Sequence, residues 1–266
     1  MREVRLQWLQ PDEVIAERER ISIIYLPIGP IEWHGPHLPL GTDPLLAEHI
    51  ALDLARQTGG VVHPTLFIGT ERERSPELLR DLGFSGGEWI VGMDFPANNM
   101  ESCYYSEDAF AMIVRLTLEQ LSAQHYQFIV IVNGHGATNQ INQLQRLVAE
   151  FSQRGPARII YTFGLDAAYD EDAGHATITE TAAVMALDTA RVDLNRLPHA
   201  DTPLLNTQFA IVDAGTFNGQ PAPDYTVRPE ADPRRATSDI GKQYFARTVA
   251  RLKETILAET RTNRAS

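Results

Sequence analysis

The sequence predicts an α/β protein: a three-layer α/β/α sandwich around a mostly parallel sheet, folded as a single domain over residues 1–266. Three observations lead there. Short apolar runs recur along the chain without the polar alternation of a sheet that has one wet face. Each run gives way to a polar loop and then a helical pattern, the order expected of βαβ crossovers. No stretch is rich enough in Gly, Ser and Pro to part the chain, and there is no internal repeat or low-complexity tract.

In chain order, the strand candidates are 21–28 (ISIIYLPI), 60–68 (GVVHPTLFI), 128–132 (FIVIV) and 158–163 (RIIYTF). Helices are expected at 44–57, 106–124, 139–154 and 177–190. A long C-terminal helix is expected over 237–260, where Ile240, Tyr244, Val249, Leu252 and Ile256 recur at roughly helical spacing. Two segments fit neither pattern. Residues 69–105 are long, rich in turn formers and uneven in charge, and 213–236 is proline-rich. Long loops on a compact domain serve as lids, as oligomer contacts or as surface decoration.

Composition excludes several classes of function. Among 266 residues, 23 Lys and Arg stand against 35 Asp and Glu, a formal charge of −12, and there is no basic run to grip phosphates. No nucleic-acid partner is expected. With 43% hydrophobic and 22% charged residues the chain has the profile of a water-soluble domain with a full core. No apolar stretch approaches the roughly 18 residues of a membrane span. The N-terminal MREVRLQWLQPDEV has no hydrophobic leader core, so a cytoplasmic enzyme is the expectation. Cys103 is the only cysteine, which rules out an intrachain disulfide and a cysteine-based zinc knuckle.

Ligands of open parallel sheets bind beyond the C-terminal ends of the strands, and chemistry is concentrated in three such loops. The loop at 27–44 (PIGPIEWHGPHLPLGTDP) carries Glu32, His34, His37 and Asp43 among three glycines and five prolines. Glu32 and His34 are two apart, so an extended segment turns both to one side. Carboxylates and imidazole at this spacing suit a divalent ion such as zinc or manganese, with Fe2+ an alternative. Helix capping accounts for Thr42 or Asp43 before Pro44, and leaves Glu32 and His34 unexplained. At 131–139 (IVNGHGATN), His135 stands between two glycines at a strand end, with Asn133 and Asn139 able to fix the turn or hold the ring. At 170–182 (DEDAGHATITETA), His175 and Glu180 flank the start of a helix that Thr177 or Thr179 would cap; ordinary helix-end electrostatics is the alternative for Glu180.

IEWHGPHLPLGTD, VNGHG followed by TN, and GH followed by ET resemble the three signature segments of the creatininase (creatinine amidohydrolase) family, E-x-H-G-P-H-L-P-x-x-T-D, N-G-H-G-x-N and H-A-G-x-x-E-T. The resemblance runs from about residue 20 to 190. It implies a three-layer α/β/α fold, assembly as a homo-oligomer, often a hexamer, and a hydrolytic centre of one or two divalent ions. It also implies that Glu32 and His135 bind one ion, His34 the other, that Asp43 bridges them, and that His175 handles protons near the scissile bond. The sequence departs from the pattern at Ala137, where creatininase proper has a metal-binding glutamate, so Glu180 is either a substitute ligand or the partner that orients His175. It departs again at Thr177, at Trp33, and at 93–105 (MDFPANNMESCYY), which stands where the family has H-x-x-F-P-G-T near the substrate.

The expected activity is attack of an activated water on a carbonyl of a small polar substrate, with opening of a cyclic amide as the first choice. C–C cleavage in a cyclic diketone derived from inositol, deformylation of a formamide, and a non-catalytic scaffold or sensing subunit are the alternatives. Trp33, Arg72, Tyr104 and Tyr105 are the candidate substrate contacts. Glu71, Glu73 and Arg74 lie in the same charged loop as Arg72, for which a solvated charge run is the simpler account.

Overall fold

The computed structural model describes residues 2–98, 100–164, 174–206 and 229–262. Among these residues four parallel strands, β1 (Ile23–Ile28), β2 (Val61–Val62), β3 (Phe128–Asn133) and β4 (Arg158–Phe163), form one sheet in the order β2-β1-β3-β4. The central pair is in register along its whole length, from Ile23 beside Phe128 to Ile28 beside Asn133. Both strands therefore end at the same level.

Seven α-helices accompany them among the described residues: α1 (Pro11–Arg20), α2 (Thr42–Thr58), α3 (Pro76–Asp81), α4 (Glu107–Ala123), α5 (Thr138–Arg154), α6 (Ile178–Asp188) and α7 (Ser238–Thr262). Alternate strand residues point to opposite faces, and each face is buried by a different helix set. Tyr25, Phe128, Val130 and Val132 pack with Leu46, Ile50 and Leu54 of α2 and with Phe245, Val249 and Leu252 of α7. Ile24, Leu26, Ile129 and Ile131 pack with Phe110, Val114 and Leu118 of α4 and Leu144 and Leu147 of α5. The three-layer sandwich follows from this two-sided burial, worth about 1.5–3 kcal/mol for each large side chain. Helix α6 lies so close to α7 that a Cβ on Gly241 would sit 1.9 Å from the carbonyl oxygen of Ala182.

Three elements differ from the sequence reading. The strand expected at 60–68 keeps its ladder only at Val61–Val62. Beyond it Pro64 offers no N–H, although Leu66 still donates to Pro27 O at 2.9 Å. Helix α1 lies outside the ranges that the apolar pattern indicates; Pro11 opens it and a Gln10/Glu13 capping box closes its first turn. The segment 69–105 contains α3 and an arm over 72–92, pinned by Arg74 N to Ile90 O (2.8 Å) and Gly92 N to Arg72 O (3.1 Å). Most of the proline-rich segment 213–236 lies outside the described residues; within it, 229–231 and 233–235 form short 3-10 turns. Among the described residues no helix is long and apolar enough to cross a membrane.

Candidate metal centre

The site is assembled where β1 and β3 end. Beyond Ile28 the chain enters a rigid loop, held by Glu32 N on Leu40 O (2.9 Å), Cys103 N on Ile31 O (2.7 Å) and Trp33 N on Ser102 Oγ (3.1 Å). Helix α2 then begins against the strand ends, and glycine makes that approach possible. A Cβ on Gly134 would lie 2.2 Å from Asp43 O, and one on Gly29 would lie 2.8 Å from Asp43 Cβ. On β3, Asn133 fixes the turn that presents His135: its Nδ2 donates to His135 O (2.7 Å), its Oδ1 accepts from His135 N (3.2 Å), and Gln140 Nε2 holds the same oxygen (2.8 Å).

Six side chains from the three loops converge in two triads, Glu32–Asp43–His135 and His34–His175–Glu180, with the candidate ligand atoms of each triad within 4.8 Å of one another. Asp43 faces both. Its Oδ1 lies 3.0 Å from His34 Nε2 and its Oδ2 lies 2.9 Å from His135 Nδ1. Glu32 Oε2 is also 2.9 Å from His135 Nδ1, and Glu180 Oε2 is 3.8 Å from His34 Nε2. Five of the six are buried, and His175 is partly so.

Two imidazoles are oriented by the backbone. A carbonyl oxygen can only accept, so His34 donates through Nδ1 to Glu32 O (3.0 Å) and His175 donates through Nε2 to Trp33 O (2.6 Å). The remaining nitrogen of each ring is turned into the cluster, and the rings lie 4.1 Å apart. Ala176 adopts a left-handed φ of 55°, and its N–H donates to Glu180 Oε2. Behind the cluster His37 Nε2 meets Thr181 Oγ1 at 3.0 Å, joining the first loop to α6.

The electrostatics follow from burying like charges together. Burial pushes Glu180 up to about 8, with His34 opposing and Asp43 adding to the rise. Burial also raises Glu32, against the attraction of His135. For Asp43 burial is outweighed by His34 and His135, which hold the carboxyl below its usual range. Burial would lower His34, yet Asp43 and Glu180 raise it to about 10. His135 is raised likewise by Glu32 and Asp43. His175 is pushed down by burial and by His34.

Carboxylate oxygens and imidazole lone pairs thus converge on the position a cation would take. His135 Nε2 is buried without a hydrogen-bond partner. A buried set of carboxylate and imidazole donors fits zinc or manganese.

A cavity of about 460 Å³ opens onto the centre, lined by Glu32, Asp43, His135, His175 and Glu180 on its floor. Arg72, Glu73, Arg74, Ser75 and Leu78 of the arm and α3 form one wall, with Glu71 and Met93 beside them, and Ala137, Asn139 and Phe163 line it from the β3 and β4 ends. The expected substrate contacts distribute unevenly. Arg72 lines the cavity but its guanidinium is paired with Glu107 at 2.5 and 3.0 Å. Trp33 turns its indole into the core and gives the site its carbonyl. Tyr104 lies with its ring 6.4 Å from His135 and its hydroxyl accepts from Met93 N (3.2 Å). Tyr105 is exposed and bonds Gly69 O through its backbone. Neither Tyr104, Tyr105 nor the Trp33 side chain is among the cavity-lining groups. Met93, Ser75 and Phe163 carry no sequence signal for such a role; their places depend on how the arm and β4 meet the sheet. Thr177 stands at the N-cap of α6 without a side-chain capping bond, and its hydroxyl donates to Gly174 O instead.

A sequence model of the creatininase family, described as creatinine amidohydrolase, matches residues 7–256. A mycofactocin precursor peptide peptidase of Mycolicibacterium smegmatis is 27% identical over 241 residues, covering 86% of this chain and 82% of that protein. Among solved structures, a creatinine amidohydrolase (creatininase) superposes with a TM-score of 0.69 at 18% identity, covering 97% of this chain and 98% of the other. A manganese form of creatininase gives a TM-score of 0.68 at 16% identity, with 97% and 99% covered, and a zinc–zinc form is similar as well. The likeness in fold and the match along nearly the whole sequence agree: the chain belongs to the creatininase family of metal-dependent hydrolases.

Proposed function

We propose that this protein hydrolyses a C–N amide bond of a small polar substrate, a cyclic amide being the first choice, at a centre of divalent cations bridged by Asp43. One observation carries the reading: the two oxygens of a single buried carboxylate each face a separate triad of ligand-type atoms. Glu32, Asp43 and His135 would hold one ion, and Asp43 and His34 would hold the other. Bound there, divalent ions acidify water toward neutral pH and polarise a carbonyl.

The chain's own residues supply position and exclusion. The rigid 29–41 loop and the Asn133 turn keep carboxylate and imidazole in place before any substrate arrives. Leu78, Met93 and Phe163 give the cavity an apolar lining that limits water around the bond. Asn139 and the Glu71–Arg74 wall offer hydrogen bonds to the polar groups of the substrate.

A peptide amide is the second reading, favoured by the relative named as a peptidase and by the open mouth of the cavity. Zinc- or manganese-loaded protein is to be screened against cyclic amides, formamides, oxidised inositols and short peptides, with products followed by mass. The expected product is a substrate that has gained one water, lost on chelation and restored by the metal. Failure of every amide, with turnover of an inositol diketone, would overturn the C–N assignment. Assembly as a homo-oligomer belongs to the same reading and is checked by sedimentation.

A further inference from the structure

The root of the arm and the turn that presents His135 meet at one buried amide that belongs to neither triad. Gln140, in the first turn of α5, is fully buried, and so are Thr70, two residues before the arm, and Asn133 at the end of β3. Gln140 Oε1 accepts from Thr70 N at 3.0 Å, and its Nε2 donates to Asn133 Oδ1 at 2.8 Å. The backbone at both ends of this relay fixes which atom is oxygen and which is nitrogen. Thr70 N–H can only donate, which sets the amide of Gln140. His135 N–H donates to Asn133 Oδ1 and His135 O accepts from Asn133 Nδ2, which sets the other amide. Asn139, named above as a brace for the same turn, donates instead to Thr70 Oγ1 at 3.4 Å. At its other end the arm returns to Met93, whose N–H is held by the Tyr104 hydroxyl.

We infer that Gln140 is a positioning residue that couples the cavity wall to the His135 turn, so that ordering His135 also orders Thr70 and the start of the arm. The inference rests on the metal-dependent reading above and deepens it. Gln140 lies outside both triads and outside the cavity lining, so it acts only through its two neighbours. Its amide suits that place because it offers an acceptor to one neighbour and a donor to the other without burying a charge.

Hydrogen exchange of the full chain, stripped with a chelator and then given zinc alone, tests this. In wild type zinc is expected to slow exchange at 133–137 and, through Gln140, at 70–75. In Gln140→Leu the first protection is expected to remain and the second to be lost, with zinc bound about tenfold more weakly. Gln140→Glu keeps the volume, decides the matter should the leucine variant not fold, and gives a signature that packing alone would not move. As the protonated acid it still donates to Asn133 and accepts from Thr70; once ionised it faces Asn133 Oδ1 with a lone pair. Relative to wild type at the same pH, its zinc affinity is expected to be unchanged at about pH 6 and about tenfold weaker at about pH 9, on either side of the raised pKa of a buried carboxyl. Protection of 70–75 that persists in Gln140→Leu or is missing in wild type, or a Gln140→Glu variant whose relative zinc affinity does not change with pH, would overturn the inference and leave the hydrolase reading intact. No zinc uptake by wild type would remove both.

Discussion

Replacing Gly134 by alanine separates the packing of the centre from its chemistry, because Gly134 contributes no ligand. The added Cβ would lie 2.2 Å from the carbonyl oxygen of Asp43 and 3.2 Å from the Cβ of Ala47. An ordinary contact needs about 3.4 Å, so the first turn of α2 and the end of β3 must part by roughly 1 Å. Overpacking of this kind costs about 1–3 kcal/mol. For a chain of this size that lowers Tm by about 3–10 °C. The same displacement acts on the 2.9 Å approach of Asp43 to His135. A shift of about 1 Å at a reacting centre costs about a hundredfold in rate. Gly134→Ala is therefore expected to stay folded, melt earlier, hold less than the wild-type complement of zinc, and turn over about a hundredfold more slowly. Calorimetry, metal analysis and initial rates on one preparation check all three. An unchanged Tm with full zinc content would refute the claim that glycine is required for this close approach.

Asp43→Ala removes the oxygen facing each triad, so loss of zinc and of activity together is expected, measured by metal analysis and product mass; unchanged zinc content would contradict the bridging role. Ala176→Gly relieves a left-handed backbone at φ 55° and is expected to leave stability unchanged or raise it by about 1 kcal/mol in urea unfolding, whereas Ala176→Val should lower it by more than that. His37→Leu breaks the tie to Thr181 and is expected to weaken zinc affinity severalfold to tenfold without abolishing folding, read by competition with a chelator. Glu17 gives a pH prediction remote from the centre. Burial would raise its carboxyl, but Arg20, Arg2 and the N–H of Gly60 hold it at about 2. The carboxylate therefore contributes stability that is full above the unfolded value of 4.5 and is lost as pH falls toward 2. Allowing for solvent around the half-exposed arginines, that contribution is about 2 kcal/mol. Glu17→Gln should lower stability at pH 7 by that amount and flatten its decline in acid, measured by urea unfolding across pH.

Much of this architecture is written in local pattern. The central strands and helices α2, α4, α5, α6 and α7 lie within about two residues of the ranges that apolar runs and helical spacing indicate. The elements that pattern misses have physical reasons. Helix α1 is amphipathic only weakly and is announced by its cap, while β2 is cut short by Pro64 and the arm at 72–92 is held by two backbone bonds that no side chain advertises. Six of the seven carboxylates and imidazoles named from the three strand-end loops meet in the triads, since strand ends in a parallel sheet share one edge, and His37 turns instead to Thr181. The roles of carbonyls 32 and 33 are invisible at that level, because every residue has a carbonyl. The cavity wall is equally hidden: whether Trp33 faces core or solvent, and whether Arg72 finds Glu107, is settled by how distant segments pack.

The arm over 72–92 lends the cavity several of its side chains and the triads none. The donor atoms and the wall beside them thus come from different stretches of the polypeptide. On the proposed reading, a substitution at Ser75 or Leu78 changes what the cavity admits and leaves the six donor side chains where they are, because none of those six belongs to the arm.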